Sequence, residues 1–194
     1  MNEHGELVLF GAGGHAAVVA DAAVAMGFVL VGVVDAMRPV TDGRPPFGGV
    51  PWLGPPDDPD PSLHELLGRG ARVHAAVGDA GLRRRWLGDH ADHAACIVHP
   101  AAVVSPSAAI GEGVFIGPRA VVNARAVIGT GTIVNTAAIL EHDARTGEFC
   151  HLAPGAIVLG NAMVGDQTLV GSNATILPAI TVGHRTTIGA GSVV

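Results

Sequence analysis

The sequence predicts two architectures in series: a small α/β domain over residues 1–95 and a stack of short strands and turns over residues 96–194. Three observations carry this. A strand run, a glycine turn and an Ala/Val helix pattern open the chain, and from Val98 onward every sixth residue is aliphatic. The composition, with 28 Gly and only 4% aromatics in a chain that is 48% hydrophobic, has too many chain-bending residues and too few large side chains for a helical bundle. With 194 residues and 14% charged residues, the chain can bury a real core and is not disordered.

The first elements follow in order. Leu7-Val8-Leu9-Phe10 is a buried-strand run, Gly11 to His15 a glycine-rich turn, and Ala16 to Met26 a helix pattern. A second strand, Phe28 to Val34, ends in Asp35. Strand, turn, helix and strand make a βαβ unit, so a small parallel sheet is expected. Between Pro39 and Pro61 lie eight of the thirteen prolines, with Asp57, Asp58 and Asp60 among them, which predicts mostly irregular loop. A short helix from Ser62 to Leu67, a strand from Arg72 to Val77 and a polar helix from Ala80 to Asp89 complete this half. Ala94 to Val98 leads into the second.

There the period is six. Val98, Val104, Ile110, Ile116, Val122, Ile128, Val134 and Leu140 are followed by Leu152, Val158, Val164, Val170, Ile176, Val182, Ile188 and Val194, and Thr146 alone breaks the phase. The position four residues after each is small, as in Ala120, Ala126, Ala138 and Cys150, with Val114 and Ile180 as exceptions. The position directly after is often Gly or Asn, which we read as relief of turn strain. Such a pattern fits neither an amphipathic helix nor an alternating strand. It fits a coil whose every side points one aliphatic residue inward and stacks on the next coil at the strand spacing. A generic β-sandwich would let the turn spacing wander.

Charge and cysteine usage exclude several functions. The net charge is −6 and all eleven basic residues are Arg, so Schiff-base and P-loop lysine chemistry are absent, and nucleic acid or anionic membrane is a poor electrostatic match. Cys96 and Cys150 form neither a disulfide framework nor a CxxC pair, which fits a reducing cytoplasm. Met1 to Glu6 does not read as a signal peptide, and no apolar run is long enough to span a bilayer.

Two stretches carry chemistry. Gly11-x-Gly13-x-x-Ala16 after a strand, with Asp35 ending the next strand, matches a dinucleotide fingerprint. The glycines would let backbone N–H groups approach a phosphate at a helix N-terminus. A tight turn needs glycine as well, and Asp35 reads equally as a ribose ligand or a solvated strand-end carboxylate. So short a domain suits a mononucleotide moiety better than a full dinucleotide. In the second half, Asn135 to Asp143 (NTAAILEHD) interrupts the bland Ala/Val/Gly filling. An imidazole with an adjacent carboxylate suits general-base work near neutral pH, so His142 with Asp143 is the candidate catalytic pair, against a merely solvated face. His151 follows in a later hexapeptide and on another side of the coil. Two such histidines meet only if the coil packs beside a copy of itself.

The period of six resembles that of the hexapeptide-repeat transferases, whose domain is a left-handed parallel β-helix with three hexapeptides per coil. The resemblance narrows further. The Gly-x-Gly-Gly-His turn, Gly78-Asp79-Ala80-Gly81-Leu82-Arg83, His99-Pro100, Ser105-Pro106, the EHD cluster and Gly147 to Ala156 are similar to the bacterial acetyltransferases of nucleotide-linked 4-amino-sugars and to sialic-acid O-acetyltransferases. It implies a Rossmann-like first domain, acetyl-CoA as co-substrate, no metal, and a cytoplasmic homotrimer serving surface-polysaccharide or glycan biosynthesis. By motif, His142 is implied as the base and Asp143 as its support. His151, Gly160, Ser172 and Ala190 would contact the acyl donor, and Gly13, Gly14, His15, Asp35 and Gly78 the nucleotide sugar. Ala36 stands where some relatives carry a second acid, and the chain ends at Val194 without the GxPA tail usual in the family, so part of the donor contact is expected to go with that tail.

Three rival readings are weaker. A zinc hydrolase would need a third imidazole near His142 and His151, and His184 is remote in sequence. A nicotinamide oxidoreductase leaves the repeat half without a role. A nucleotide-sugar-binding scaffold leaves the EHD cluster unexplained.

Overall fold

Leu7, Val8 and Leu9 have no exposed surface, because they sit on the central strand of a parallel sheet covered on both sides. The computed structural model describes residues 4–37 and 47–194, and the chain divides into two units, Met1–Ile97 and Val98–Val194. In the first, β1 (Glu6–Phe10), α1 (Gly14–Met26), β2 (Val29–Val34), α2 (Ser62–Gly68), β3 (Arg72–Ala75) and α3 (Ala80–Asp89) alternate along the chain. The strand order is β2-β1-β3, all parallel. Helix α1 begins two residues before the expected Ala16, since Gly13 already serves as its N-cap, and it ends at Gly27 in the left-handed conformation, φ 98°. Of the proline-rich loop, residues 39–46 lie outside the described residues. The remainder is irregular, as expected, but it is tied to the sheet by Val33 N–H to the Pro51 carbonyl (2.9 Å) and Leu53 N–H to the Val33 carbonyl (2.8 Å). The core gathers Val8, Phe10, Val34, Leu63, Val73 and Trp86.

The second unit is a β-solenoid. Short strands of two residues run from β4 (Ile97–Val98) to β19 (Thr187–Ile188) and form three parallel sheets of six, five and five strands among the described residues. Val122, Ile128 and Val134 fall on three different sheets, so three hexapeptides close one coil, and about five coils stack. We call the face of β13 (His151–Leu152) the first, that of β11 (Ile139–Leu140) the second and that of β12 (Arg145–Thr146) the third. The aliphatic series points inward: Ile116, Val134, Leu140, Leu152, Val158, Val170 and Ile176 are fully buried. Each such residue is worth roughly 1.5–3 kcal/mol of burial. Ile110 and Val194, near the two ends of the stack, are exposed by 36% and 39%.

The turn chemistry differs from the sequence reading. The position that takes positive φ is the third after each aliphatic residue, where Arg119, Arg125, Ala137, Asp143, Phe149, Asn161, Gln167, Asn173, Ala179 and Arg185 all lie between φ 51° and 61°. The glycine directly after the aliphatic residue has another reason: a Cβ at Gly117 would stand 2.9 Å from Thr136 N, and one at Gly171 2.6 Å from Ala190 N, both in the following coil. Close stacking, not turn strain, selects glycine there. The left-handed residues, at a cost of about 1–2 kcal/mol each, are held by a backbone ladder. Asp143 N–H donates to the Ala124 carbonyl (3.0 Å), Asn161 N–H to that of His142 (3.2 Å) and Ala179 N–H to that of Gly160 (3.0 Å).

Candidate functional site

The ladder lines up side chains at each corner one coil apart. At the corner between the second and third faces, Ala124, His142, Gly160 and Pro178 form one column, and Arg125, Asp143, Asn161 and Ala179 the column beside it. His142 therefore projects from a corner that the backbone bonds of Asp143 and Asn161 fix on both sides. Its Nδ1 lies 2.9 Å from Asp143 Oδ2. Donation from Nδ1–H to the carboxylate leaves Nε2 as the unprotonated, basic nitrogen. The ring lies over Gly160: a Cβ there would stand 2.7 Å from His142 Cε1 and 2.8 Å from Nε2. Glycine at this place in the column makes room for the imidazole, and the backbone φ does not require it.

Asp143 is itself held. Arg125 in the preceding coil donates from Nε to Oδ1 (2.6 Å) and from one terminal nitrogen to Oδ2 (2.8 Å), a bidentate fork. The Arg125 guanidinium and then the His142 contact keep the Asp143 carboxyl well below the usual carboxylate range, and the pairing raises Arg125 in turn. Glu141 folds back on the same loop, its Oε2 accepting from His142 N–H at 3.2 Å. Sequence reasoning missed Arg125. The signal that finds it is the spacing of 18 residues to Asp143, one full coil.

The remaining residues expected to contact the donor lie elsewhere on the solenoid. His151 starts β13 on the first face, where its Nε2 lies 3.1 Å from Asn135 Nδ2. Ser172 and Ala190 occupy successive coils at the corner between the first and second faces, joined by Gly191 N–H to the Ser172 carbonyl (2.9 Å). Within one chain, then, His142, Asp143 and Gly160 are brought together, and His151, Ser172 and Ala190 are not brought to them. Cys150 is buried inside the solenoid, its Sγ 3.1 Å from the Gly165 carbonyl oxygen, so it is no nucleophile.

In the first unit, Gly13, Gly14, His15, Asp35 and Gly78 stand at the carboxyl ends of β1, β2 and β3. That is the edge where open parallel sheets bind ligands, and the order β2-β1-β3 reverses direction between β1 and β3. Gly11 (φ 111°) is required there, since a Cβ would stand 2.7 Å from Val77 Cγ1. Nothing lies within 4 Å of where a Cβ on Gly13, Gly14 or Gly78 would point. Asp35 is neither simply solvated nor free: its Oδ2 accepts from Ala12 N–H (2.8 Å) and its Oδ1 from Met37 N–H (3.1 Å), so it braces the glycine turn. A cavity of about 330 Å³ opens beside it, lined by Asp35, Ala36, Val77, Leu82 and Trp86 among others. The buried Arg83 closes the turn after β3, donating to the carbonyls of Val77 (2.9 Å) and Gly78 (2.7 Å). No group of three or more His, Cys, Asp or Glu is placed to hold a metal ion among the described residues. No helix among them is long and apolar enough to cross a membrane.

Comparison with known proteins bears on both units. Residues 6–89 match the PglD N-terminal domain, and residues 161–194 match the bacterial transferase hexapeptide (six repeats). No curated protein sequence gives a significant match. Perosamine N-acetyltransferase from Caulobacter crescentus, crystallised as a histidine-to-asparagine variant with CoA and GDP-perosamine, is 36% identical over 97% of this chain and 88% of its own, with a TM-score of 0.86. The acetyltransferase domain of PglB from Neisseria gonorrhoeae, in complex with acetyl coenzyme A, is 34% identical over 96% of this chain and 88% of its own, with a TM-score of 0.85. WeeI from Acinetobacter baumannii shares the fold at 19% identity and a TM-score of 0.74. With an acid-braced histidine on a hexapeptide solenoid and relatives above 30% identity along nearly its whole length, the chain belongs to the PglD-like hexapeptide-repeat acetyltransferase family.

Proposed function

We propose that this acetyltransferase moves the acetyl group of acetyl-CoA to the amino group of a nucleotide-linked amino-sugar, with His142 as general base. The observation that carries the reading is the His142–Asp143 pair seated over Gly160. His142 Nε2 takes a proton from the sugar amine as its nitrogen attacks the thioester carbonyl. The tetrahedral intermediate then expels the CoA thiolate, which takes the proton back from the His142 imidazolium and leaves as the thiol, restoring the base. Asn161 N–H is committed to the His142 carbonyl, so the N–H of Gly160 is the backbone donor this reading assigns to the oxyanion. The buried Cys150 accords with direct transfer rather than an acyl-enzyme. GDP-perosamine and acetyl coenzyme A, named with the two relatives, support a nucleotide sugar and a CoA thioester as the substrate pair. The glycine edge of the first unit would receive the nucleotide, Gly13, Gly14, His15 and Gly78 contacting it and Asp35 shaping the turn. The reading places the enzyme in the cytoplasm, in surface-polysaccharide or glycan synthesis.

A thiol-release assay with acetyl-CoA across UDP-, GDP- and CMP-linked amino-sugars and free sialic acid tests this. Release with an amino-sugar nucleotide supports it, release with sialic acid alone would assign an O-acetyltransferase, and no release with any acceptor would leave a binding scaffold. With the active acceptor, His142→Ala should lower kcat by roughly 10²- to 10⁴-fold and Asp143→Asn by less. His151→Ala should mainly raise the KM for acetyl-CoA, as loss of uniform binding does. Near-wild-type turnover by His142→Ala would move the base elsewhere.

A further inference from the structure

A surface ion pair contributes little to stability, yet the Arg125 fork is built with more care than stability alone requires. Arg125 lies in the left-handed region (φ 59°), and its own N–H donates to Ser107 Oγ (3.1 Å) in the coil before. Ser107, Arg125 and Asp143 thus make a three-coil column. The hydroxyl pins the Arg125 backbone, the guanidinium grips both oxygens of Asp143, and Asp143 Oδ2 meets His142 Nδ1. The Asp143 side chain is 29% exposed, and the fork adds a fixed partner to each of its oxygens. We propose that Arg125 is a positioning residue for acetyl transfer: it fixes the Asp143 carboxylate that orients the His142 imidazole. This rests on the reading of His142 as the base.

The charges facing His142 are few. Asp143 and Glu141 are negative, Arg125 is positive, and the column neighbours Ala124, Gly160 and Pro178 carry none. Removing Arg125 therefore leaves two carboxylates against one imidazole. A carboxylate no longer fixed orients the ring less well, which lowers the rate. Lysine would restore the charge but not the planar fork.

The test pairs a measurement that needs no substrate with one that does. The tautomer of the His142 imidazole is read by two-dimensional NMR, and kcat and kcat/KM are taken with acetyl-CoA and a GDP-linked 4-amino-sugar, in wild type, Arg125→Ala, Arg125→Lys and His142→Ala. We expect Arg125→Ala to mix the two ring tautomers where wild type holds the proton on Nδ1 toward Asp143. Its kcat should fall about tenfold with Tm unchanged. Arg125→Lys, which lacks the planar fork, should recover only part of kcat and of the single tautomer. If Arg125→Ala leaves tautomer and kcat as in wild type while His142→Ala is inactive, the positioning role is overturned and the base stands. If His142→Ala retains its rate, the base falls first and the role of Arg125 with it.

Discussion

At the residue scale, the site depends on what a coil places one turn away. His142 and Asp143 were legible because they are adjacent in sequence and polar in an apolar background. Arg125 was not, because its partner is 18 residues off and only closure of the coil brings them together. Gly160 was legible only through the family resemblance, and its physical reason emerges from the stack: it stands where any side chain would strike the imidazole. Gly160→Ala tests this directly. Its backbone tolerates alanine, so Tm should hold, but a Cβ 2.8 Å from Nε2 must displace the ring. We expect kcat/KM to fall at least about tenfold, as small misplacements of a catalytic group do. A Gly160→Ala enzyme with wild-type kinetics would show that the ring does not work from the position described.

At the scale of elements, the repeat half was almost fully legible because one constraint, an aliphatic residue pointing into a narrow prism, recurs without a slip. What the pattern concealed was which turn position is left-handed, since Arg, Asp, Asn, Gln, Ala and Phe all occupy it and no residue type marks it. The ladder of backbone bonds imposes that conformation regardless of side chain. The sheet of the first unit was readable in type and less so at its edges, with β3 stopping at Ala75 rather than Val77. It also hides a titratable group. His74 on β3 is 1% exposed and donates from Nδ1 to the Ala95 carbonyl (2.9 Å). Burial pushes it down to about 4, the nearby Arg83 charge adds to this, and the bond to Ala95 opposes it. The folded state thus favours neutral His74, so its stability is fully present above the unfolded value near 6.5 and is lost as pH falls from there toward 4. Between pH 7 and 5 this amounts to about 2 kcal/mol. Urea unfolding followed at Trp86 should show that loss, and His74→Gln should flatten it. An equal slope in the variant would place the acid sensitivity elsewhere, with the half-buried His90, also shifted down by burial, the next candidate.

At the scale of the whole molecule, one chain does not assemble the expected donor site. His142 and Gly160 sit at the corner between the second and third faces, His151 lies on the first face, and Ser172 and Ala190 stand at the corner between the first and second. A rigid prism stitched by backbone bonds at each corner does not bend to bring these together. We therefore expect a homotrimer in which one chain supplies His142 and its neighbour supplies His151, with a site at each interface. Light scattering gives the stoichiometry, but complementation tests the sharing. His142→Ala and His151→Ala chains, coexpressed with different tags and purified through both, should form mixed trimers in which some interfaces carry both histidines. Purification through both tags leaves only mixed trimers, in each of which about one interface in three carries both histidines, so at acetyl-CoA concentrations far below the KM of the His151→Ala protein, activity should return to about that fraction of wild type. Each variant purified alone should stay near background under the same conditions. If the mixture is no more active than its better parent, either each site is built from a single chain or His151 has no part in it, and a monomer with full activity would decide for the first.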